Sequence, residues 1–201
     1  RYGVGYDGRA LLPFMEMQGL ADDDLAAVVS YLRAMPPVRH QVPWHEYNLL
    51  GRVVKATVLA TPVGPSSPPP KVAPVGLSVE RGRYLAEAVS LCWACHTERD
   101  QNTGALTGPR FGGSRRLDDD FDTTRRWAPP NITADKETGR LGQMTEDQFV
   151  ARLRQGRVLP GSPMPWQAFG RMTDDDLRSI YRYLTSLPPV HNDVGPPLVV
   201  K

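Results

Sequence analysis

Only two of the 201 residues are cysteines, and no long hydrophobic run occurs. The chain is long enough to form a hydrophobic core, which excludes a small domain held together by disulfides. The most hydrophobic stretch, residues 49–63, contains Arg52 and Lys55, so it does not fit a membrane-spanning helix. Aromatic residues make up only 8%, against 18 glycines and 20 prolines. This composition predicts a globular, loop-rich protein with few strands.

The sequence also lacks a strong excess of charge of either sign. Lysine and arginine number 24 against 22 aspartates and glutamates, and the basic residues are spread along the chain. Proteins that bind nucleic acid usually concentrate basic residues on one face or arm, so we expect no nucleic acid partner. The sequence begins at Arg1 without an initiator methionine or a signal peptide. We expect that any export signal has been removed or is not included.

A segment of 18 residues occurs twice, 152 positions apart. The copies are ADDDLAAVVSYLRAMPPV at residues 21–38 and TDDDLRSIYRYLTSLPPV at residues 173–190, identical at nine positions. Each copy has apolar residues at helical spacing, acidic residues where the first turn would be, and two prolines at its end. The repeat therefore predicts two amphipathic helices of the same type.

A proline-rich segment lies between the two copies. Residues 61–74 contain six prolines, a composition that favours an extended linker. We predict four parts: the C-terminal part of an upstream domain (1–38), a proline-rich linker (39–75), a complete domain (76–190) and a tail (191–201). In the complete domain, the first helix is expected to begin near Ser78 and to run straight into Cys92. Two further helices are expected to begin at Thr145 and at the second repeat, and residues 100–142 are expected to form a long loop.

The pattern that carries chemistry is CWACH at residues 92–96, which contains both cysteines of the chain. This is the C-x-x-C-H pattern of c-type haem attachment. Two thiols three positions apart at the end of a helix can reach the two vinyl groups of one porphyrin, and the next residue can then bind the iron. We expect one covalent haem c, attached through Cys92 and Cys95, with His96 as an axial ligand.

Three other interpretations of the cysteines remain open. A dithiol redox site would normally follow a strand, whereas a helix is predicted before this motif. A zinc site would need two further ligands at short spacing, and His40, His45 and His191 are all distant in sequence. Two core cysteines followed by a histidine by coincidence are the third alternative.

The second axial ligand is expected among the methionines. Met164 lies in the segment GSPMPW, where prolines on both sides would hold the backbone in place before the last helix. Met144 and Met172 precede predicted helix starts and are expected to pack in the core. We therefore predict Met164 as the sixth ligand.

Several motifs, taken in their order, resemble the class I cytochrome c domains in multihaem cytochrome subunits of bacterial membrane-associated alcohol, aldehyde and gluconate dehydrogenases. They are RGRYL (81–85), CWACH (92–96), LTGPRFGG (106–113), NITAD (131–135), TG (138–139), MPW (164–166) and the second copy of the repeat. The resemblance covers residues 76–190. It implies an all-α cytochrome c fold, with three to five helices wrapped round a covalent haem and long loops, preceded by a partial second repeat.

The resemblance also implies roles for individual residues. His96 and Met164 would be the axial pair, and the loop that begins at Asn131 would lie near the haem edge. Five basic or aromatic residues between positions 115 and 127 could bind the haem propionates. A solvated basic loop explains the presence of these residues equally well. These are Arg115, Arg116, Arg125, Arg126 and Trp127.

Residues 1–38 resemble the end of a second such domain. The segment GRALLPFM at residues 8–15 corresponds to residues 156–164, which makes Met15, or failing that Met17, the axial ligand of another haem. No C-x-x-C-H pattern precedes it. Either the sequence is a fragment of a longer multihaem protein, which we expect, or this half-domain is vestigial and Met15 only packs.

A His/Met haem favours electron transfer over substrate chemistry. We expect a one-electron carrier, not an enzyme, between a periplasmic or membrane-associated dehydrogenase or another haem and the quinone or oxidase side of the respiratory chain. The alternatives are a haem enzyme or a gas- or peroxide-binding domain with an exchangeable sixth ligand, and an interaction fragment in which haem is structural. Thioether attachment indicates the bacterial periplasm, at the inner membrane, with membrane association only through parts not in this sequence.

Overall fold

A computed structural model describes residues 1–11, 17–43, 46–57, 60–101, 103–119 and 121–200. This part of the chain is mainly helical with a few short strands, which is compatible with the cytochrome c fold expected from the sequence. It divides into two compact units, Arg1–Ala73 and Pro74–Lys201. None of the helices in the described ranges is long and apolar enough to span a membrane.

Two helices lie in the described residues of the first unit. Helix α1, Asp22–Ala34, begins with three aspartates and ends before the two prolines, as the repeat predicts, and none of its residues is buried. Helix α2 is Leu49–Thr57. The proline-rich segment packs against the start of α1, where the Asp22 amide donates to the Pro70 carbonyl at 3.0 Å and the Ala73 amide to the Asp23 carboxylate at 3.2 Å.

The second unit begins with helix α3, Val79–Tyr84, at the predicted position. The hydroxyl of Ser78 accepts the Arg81 amide at 3.1 Å and so caps the helix. A π-helical turn, Leu85–Val89, continues it. The prediction that this helix runs straight into Cys92 is wrong, because Leu91 adopts a left-handed conformation with φ of 49° and interrupts it. A separate turn of helix, α4, then spans Cys92–Cys95.

The remaining helices follow after a 3-10 turn at Leu141–Gln143. They are α5 (Glu146–Arg154), α6 (Trp166–Phe169) and α7 (Asp174–Ser186). Helix α5 begins directly after Thr145, as predicted, and a capping box holds its start: the Gln148 amide donates to the Thr145 hydroxyl at 3.3 Å, and the Thr145 amide donates to the Gln148 side chain at 2.8 Å.

The packing of α3 against α7 forms the centre of the second unit. The buried side of α7 includes Leu177, Ile180 and Leu184. Gly82 allows the two helices to approach closely, because a Cβ atom at this position would lie only 1.8 Å from the carbonyl oxygen of Ser179.

A small antiparallel sheet lies in the region predicted as a long loop and in the tail. Strand β1 is Leu117–Asp118, β2 is Arg125–Trp127 and β3 is Leu198–Val200, in the order β1-β2-β3. Trp127 pairs with Leu117 on one side and with Leu198 on the other. The C-terminal segment therefore returns to the domain and pairs with the strand that carries Arg126 and Trp127.

Candidate haem-attachment site

Both cysteines lie on the single helical turn α4, and neither forms a disulfide. Cys92 is partly buried and Cys95 is exposed. Burial raises the pKa of the Cys92 thiol to about 12 and also raises the pKa of Cys95. Both side chains are thus uncharged at neutral pH, and a thioether at either position would keep them uncharged. The partly buried surroundings of Cys92 suit an apolar thioether.

Trp93, between the two cysteines, is held by a group of side chains that we call the Trp93 cluster: Trp93, Glu87, Arg99, Arg110 and Tyr183. The indole nitrogen of Trp93 donates to the Glu87 carbonyl at 3.0 Å, and the guanidinium groups of Arg99 and Arg110 lie 5.4 and 4.8 Å from the Trp93 ring centroid. The Glu87 carboxylate pairs with Arg110 and accepts the Tyr183 hydroxyl at 2.5 Å. The cluster thereby connects α4 to the π-helical turn and to α7.

His96 directly follows α4, and its ring is oriented by a backbone carbonyl. Its Nδ1 atom lies 2.8 Å from the carbonyl oxygen of Pro130. When Nδ1 carries the proton and donates to that oxygen, Nε2 has a free lone pair and can bind a metal. Burial lowers the pKa of His96, and the bond to Pro130 partly opposes this shift. The neutral form is the one that binds iron.

The carbonyl of Pro130 is positioned by the loop that follows it. Asn131 is buried, and its side-chain amide donates to the Val190 carbonyl at 2.6 Å and to the Thr138 hydroxyl at 3.1 Å. Its side-chain oxygen accepts the Thr133 amide at 2.9 Å. The structure thus places the predicted Asn131 within the network that holds the His96 partner, and all of these partners are protein groups.

Gly113 brings the preceding loop against the same region. Its amide donates to the His96 carbonyl at 2.9 Å, and its φ of 88° is a conformation that side chains disfavour. A Cβ atom here would lie 2.7 Å from the Asn131 amide nitrogen. Gly113 therefore lies against both His96 and Asn131, and a larger residue would not fit between them.

Met164 lies in the turn before α6 and is partly buried. It packs against the buried residues Val150, Leu153 and Leu177 of α5 and α7. The Trp166 amide donates to the Met164 carbonyl at 2.8 Å, which fixes the backbone of the turn. Met172 packs against the same residues, as predicted for a core methionine.

Strand β2 lies next to the turn that carries Met164. The ring of Trp127 is buried, and a Cβ atom at Gly161 would lie 3.4 Å from it. The indole of Trp127 donates to Asp119 at 2.8 Å. The Nε atom of Arg126 is buried without a hydrogen bond and lies 3.6 Å from the Asp118 carboxylate. The other predicted propionate partners, Arg115, Arg116 and Arg125, bond to protein groups.

This chain matches no protein-family model. It is 30% identical to the gluconate 2-dehydrogenase cytochrome c subunit of Pantoea cypripedii over 207 residues, which cover 93% of the chain and 45% of that protein. It is 27% identical to the cytochrome c subunit of a quinone-type alcohol dehydrogenase from Gluconacetobacter polyoxogenes, covering 97% and 44%. This chain is a relative of dehydrogenase cytochrome c subunits.

A third cytochrome relative matches a shorter part. The fructose dehydrogenase cytochrome subunit of Gluconobacter japonicus is 36% identical over 119 residues, which cover 56% of the chain and 22% of that protein. The chain thus spans less than half the length of these cytochrome subunits.

The residues of the site fit the haem c that a cytochrome relationship implies. Two free thiols lie on one helical turn, and the histidine that follows has its Nδ1 atom engaged by a carbonyl, which leaves Nε2 for iron.

Residues 1–38 were predicted to contain the axial methionine of another haem, either Met15 or Met17. Met15 lies outside the described residues. Met17 is exposed, and its carbonyl accepts the Leu20 amide at 3.4 Å.

Proposed function

We propose that this chain is the electron-transfer module of a cytochrome c, with one haem c held in residues 76–190. Cys92 and Cys95 would form the thioethers, and His96 and Met164 would be the axial ligands. A bound haem supplies an iron centre that gains and loses one electron. The observation that carries the proposal is the 2.8 Å contact between His96 Nδ1 and the Pro130 carbonyl, directly after a turn with two free thiols.

The side chains of the module have separate tasks. The Pro130 carbonyl orients the imidazole of His96 and increases its basicity. The Trp93 cluster holds the turn that carries both cysteines. Met164 presents a thioether from a turn with a fixed backbone and apolar neighbours. A filled sixth position is favoured over an exchangeable one, because residues 161–166 include no histidine or arginine of the kind that peroxide chemistry uses. The helices of the domain would wrap the haem in an all-α cytochrome c fold.

The names of the relatives suggest the redox partner. The three relatives described above are each named as the cytochrome subunit of a dehydrogenase. We propose that this chain accepts electrons from a dehydrogenase or from another haem domain and passes them to the quinone or oxidase side of the respiratory chain. The module itself transforms no substrate. Its proposed location is the bacterial periplasm, at the inner membrane.

Residues 1–38 are proposed to be the C-terminal part of a second cytochrome c-like domain. Both copies of the repeat form a helix of 13 residues with three aspartates at its start. On α7 the apolar residues are covered, with Ile180 and Leu184 each 3% exposed. Their counterparts on α1, Val28 and Leu32, are 47% and 63% exposed. A helix like α3 would cover them in a complete domain.

An optical experiment tests the proposal. The chain would be produced in a periplasm that attaches c-type haem, and its haem content would be measured as the pyridine haemochrome. We expect one covalent haem per chain, a low-spin spectrum and the weak methionine-to-iron band at the red end of the spectrum. Met164→Ala should lose that band, whereas the matched variant Met144→Ala should keep it. A high-spin spectrum that shifts with cyanide or carbon monoxide would contradict the proposal.

A further inference from the structure

Helix α2 in the first unit has one apolar and one basic side. Leu49, Leu50, Val53 and Val54 recur at helical spacing and share one side. All four are exposed, Leu49 by 80% and Leu50 by 71%, and none of the nine residues of the helix is buried. The apolar side of α2 therefore faces solvent.

The opposite side of α2 carries only positive charge. Arg52 and Lys55 are its charged residues, and the helix contains no aspartate or glutamate. Both are anchored to Tyr47, which precedes the helix: Arg52 Nε donates to the Tyr47 carbonyl at 3.2 Å, and Lys55 Nζ lies 4.8 Å from the Tyr47 ring centroid. Glu46 is the one acidic residue in the described segment 46–57.

The exposed apolar side of α1 has a different explanation. Helix α1 is the repeat of α7, and the covered face of α7 indicates that a helix like α3 belongs there. It also begins with three aspartates, which anionic surfaces would repel. Helix α2 has no such counterpart, because the repeat ends at residue 38. The repeat therefore does not indicate a protein helix as the partner of α2.

We propose that α2 is a membrane-surface helix that binds a bilayer containing anionic lipids. Its four apolar side chains would enter the boundary between headgroups and acyl chains. Arg52 and Lys55, on the other side of a helix about 10 Å across, would remain within the Debye length of about 10 Å over which the lipid phosphates attract them. Positive charge on a helix with an exposed apolar side is the combination that binds anionic lipid surfaces. This proposal goes beyond the electron-transfer function, and it places a membrane contact inside the chain, where the sequence analysis expected none.

The size and charge of α2 favour lipid over a second copy of the chain. Nine helical residues extend over about 14 Å, whereas a stable protein interface buries about 800 Å² on each partner. Pairing two copies through their apolar sides would leave Arg52 and Lys55 facing solvent, whereas an anionic bilayer attracts them. Adsorption to a bilayer needs no minimum area, because each inserted side chain and each cation adds its own contribution.

Vesicle co-sedimentation of the full chain tests this proposal. The vesicles would consist of phosphatidylcholine alone or of equal parts of phosphatidylcholine and phosphatidylglycerol. We expect binding to the anionic vesicles that weakens as salt increases. Leu50→Asp with Val53→Asp should reduce the binding at least tenfold. Arg52→Gln with Lys55→Gln should reduce it severalfold and remove most of its salt dependence.

A matched control is the double variant Val28→Asp with Leu32→Asp, which places the same charges on the exposed apolar face of α1. This variant should bind anionic vesicles as the parent does. Circular dichroism and gel filtration would verify that each variant is folded. The proposal would be overturned if the parent does not bind anionic vesicles, if the α1 pair loses binding as much as the α2 pair, or if α2 instead forms a dimer that Leu50→Asp abolishes. Haem content is measured separately, so failure of the electron-transfer proposal would be recognised independently.

Discussion

The Nδ1 atom of His96 lies 2.8 Å from the carbonyl oxygen of Pro130, 34 residues later in the chain. This contact connects the CWACH turn to the loop that begins at Asn131, and it fixes the tautomer that leaves Nε2 free. Because the partner is a backbone carbonyl, its position depends on the side chains that hold the loop. The stability of that loop is thus directly relevant to the proposed binding of iron by His96.

Asn131→Ala should destabilise the protein by about 2 to 3 kcal/mol, because it removes the partner of the buried Thr133 amide and the shorter of two hydrogen bonds to the Val190 carbonyl. Urea unfolding of the second unit, followed by circular dichroism, would measure this change. Gln101→Ala is a suitable control, since its hydrogen bonds are exposed and it should change stability by less than about 0.5 kcal/mol. Equal effects of the two substitutions would refute the proposed role of Asn131.

Gly82→Ala should be among the most damaging substitutions of one methyl group in this chain. The added Cβ would meet the Ser179 carbonyl, so α3 and α7 would have to separate, at a cost of about 3 kcal/mol or more. Gly64→Ala provides the comparison, because the nearest atom to its Cβ would be 3.7 Å away. Thermal unfolding of both variants would distinguish them. A melting temperature for Gly82→Ala equal to that of the parent would show that the approach of the two helices is looser than described.

The hydroxyl of Tyr183 should ionise at higher pH than an ordinary tyrosine. Burial, followed by the hydrogen bond to Glu87, raises its pKa. A raised pKa means that the protonated phenol is favoured in the folded state, so its contribution to stability is complete below pH 10 and is lost as the pH rises above that. Tyr183→Phe should cost about 1 to 2 kcal/mol at neutral pH.

Absorbance titration at alkaline pH would test the Tyr183 prediction. The last phenol to ionise in the folded parent should be missing from Tyr183→Phe. Tyr31→Phe serves as the control, because Tyr31 is the counterpart of Tyr183 in the first repeat and is exposed. If the late phenol persists in Tyr183→Phe, the assignment is wrong.

Local patterns allowed much of the second unit to be predicted from the sequence. The helix starts near Ser78 and at Thr145 and the repeat helix depend on residues within a few positions of one another, and all three are present. The interruption at Leu91 was not predictable from spacing, because apolar periodicity does not reveal a left-handed residue. Contacts between distant segments were also missed, including the pairing of β3 with β2 and the approach of Tyr183 to Glu87 across 96 positions.

The exposed face of α1 leads to the last prediction. If residues 1–38 belong to a second cytochrome c-like domain, a helix like α3 should cover Val28 and Leu32. Residues 76–90 of this chain, joined in front of Arg1 by a flexible glycine-serine linker, would supply such a helix at millimolar effective concentration. We expect slower hydrogen exchange of the α1 amides in this fusion than in the parent.

A matched fusion, in which the added copy of Gly82 is replaced by leucine, separates specific docking from general shielding. Ala27 is the counterpart of Ser179, so a side chain at the glycine position would collide with the α1 backbone if α1 binds its partner as α7 binds α3. The leucine fusion should therefore leave α1 amides exchanging as fast as in the parent. If both fusions protect α1 equally, the covering helix binds without the close glycine contact, and the equivalence of the two repeats would not extend to their packing.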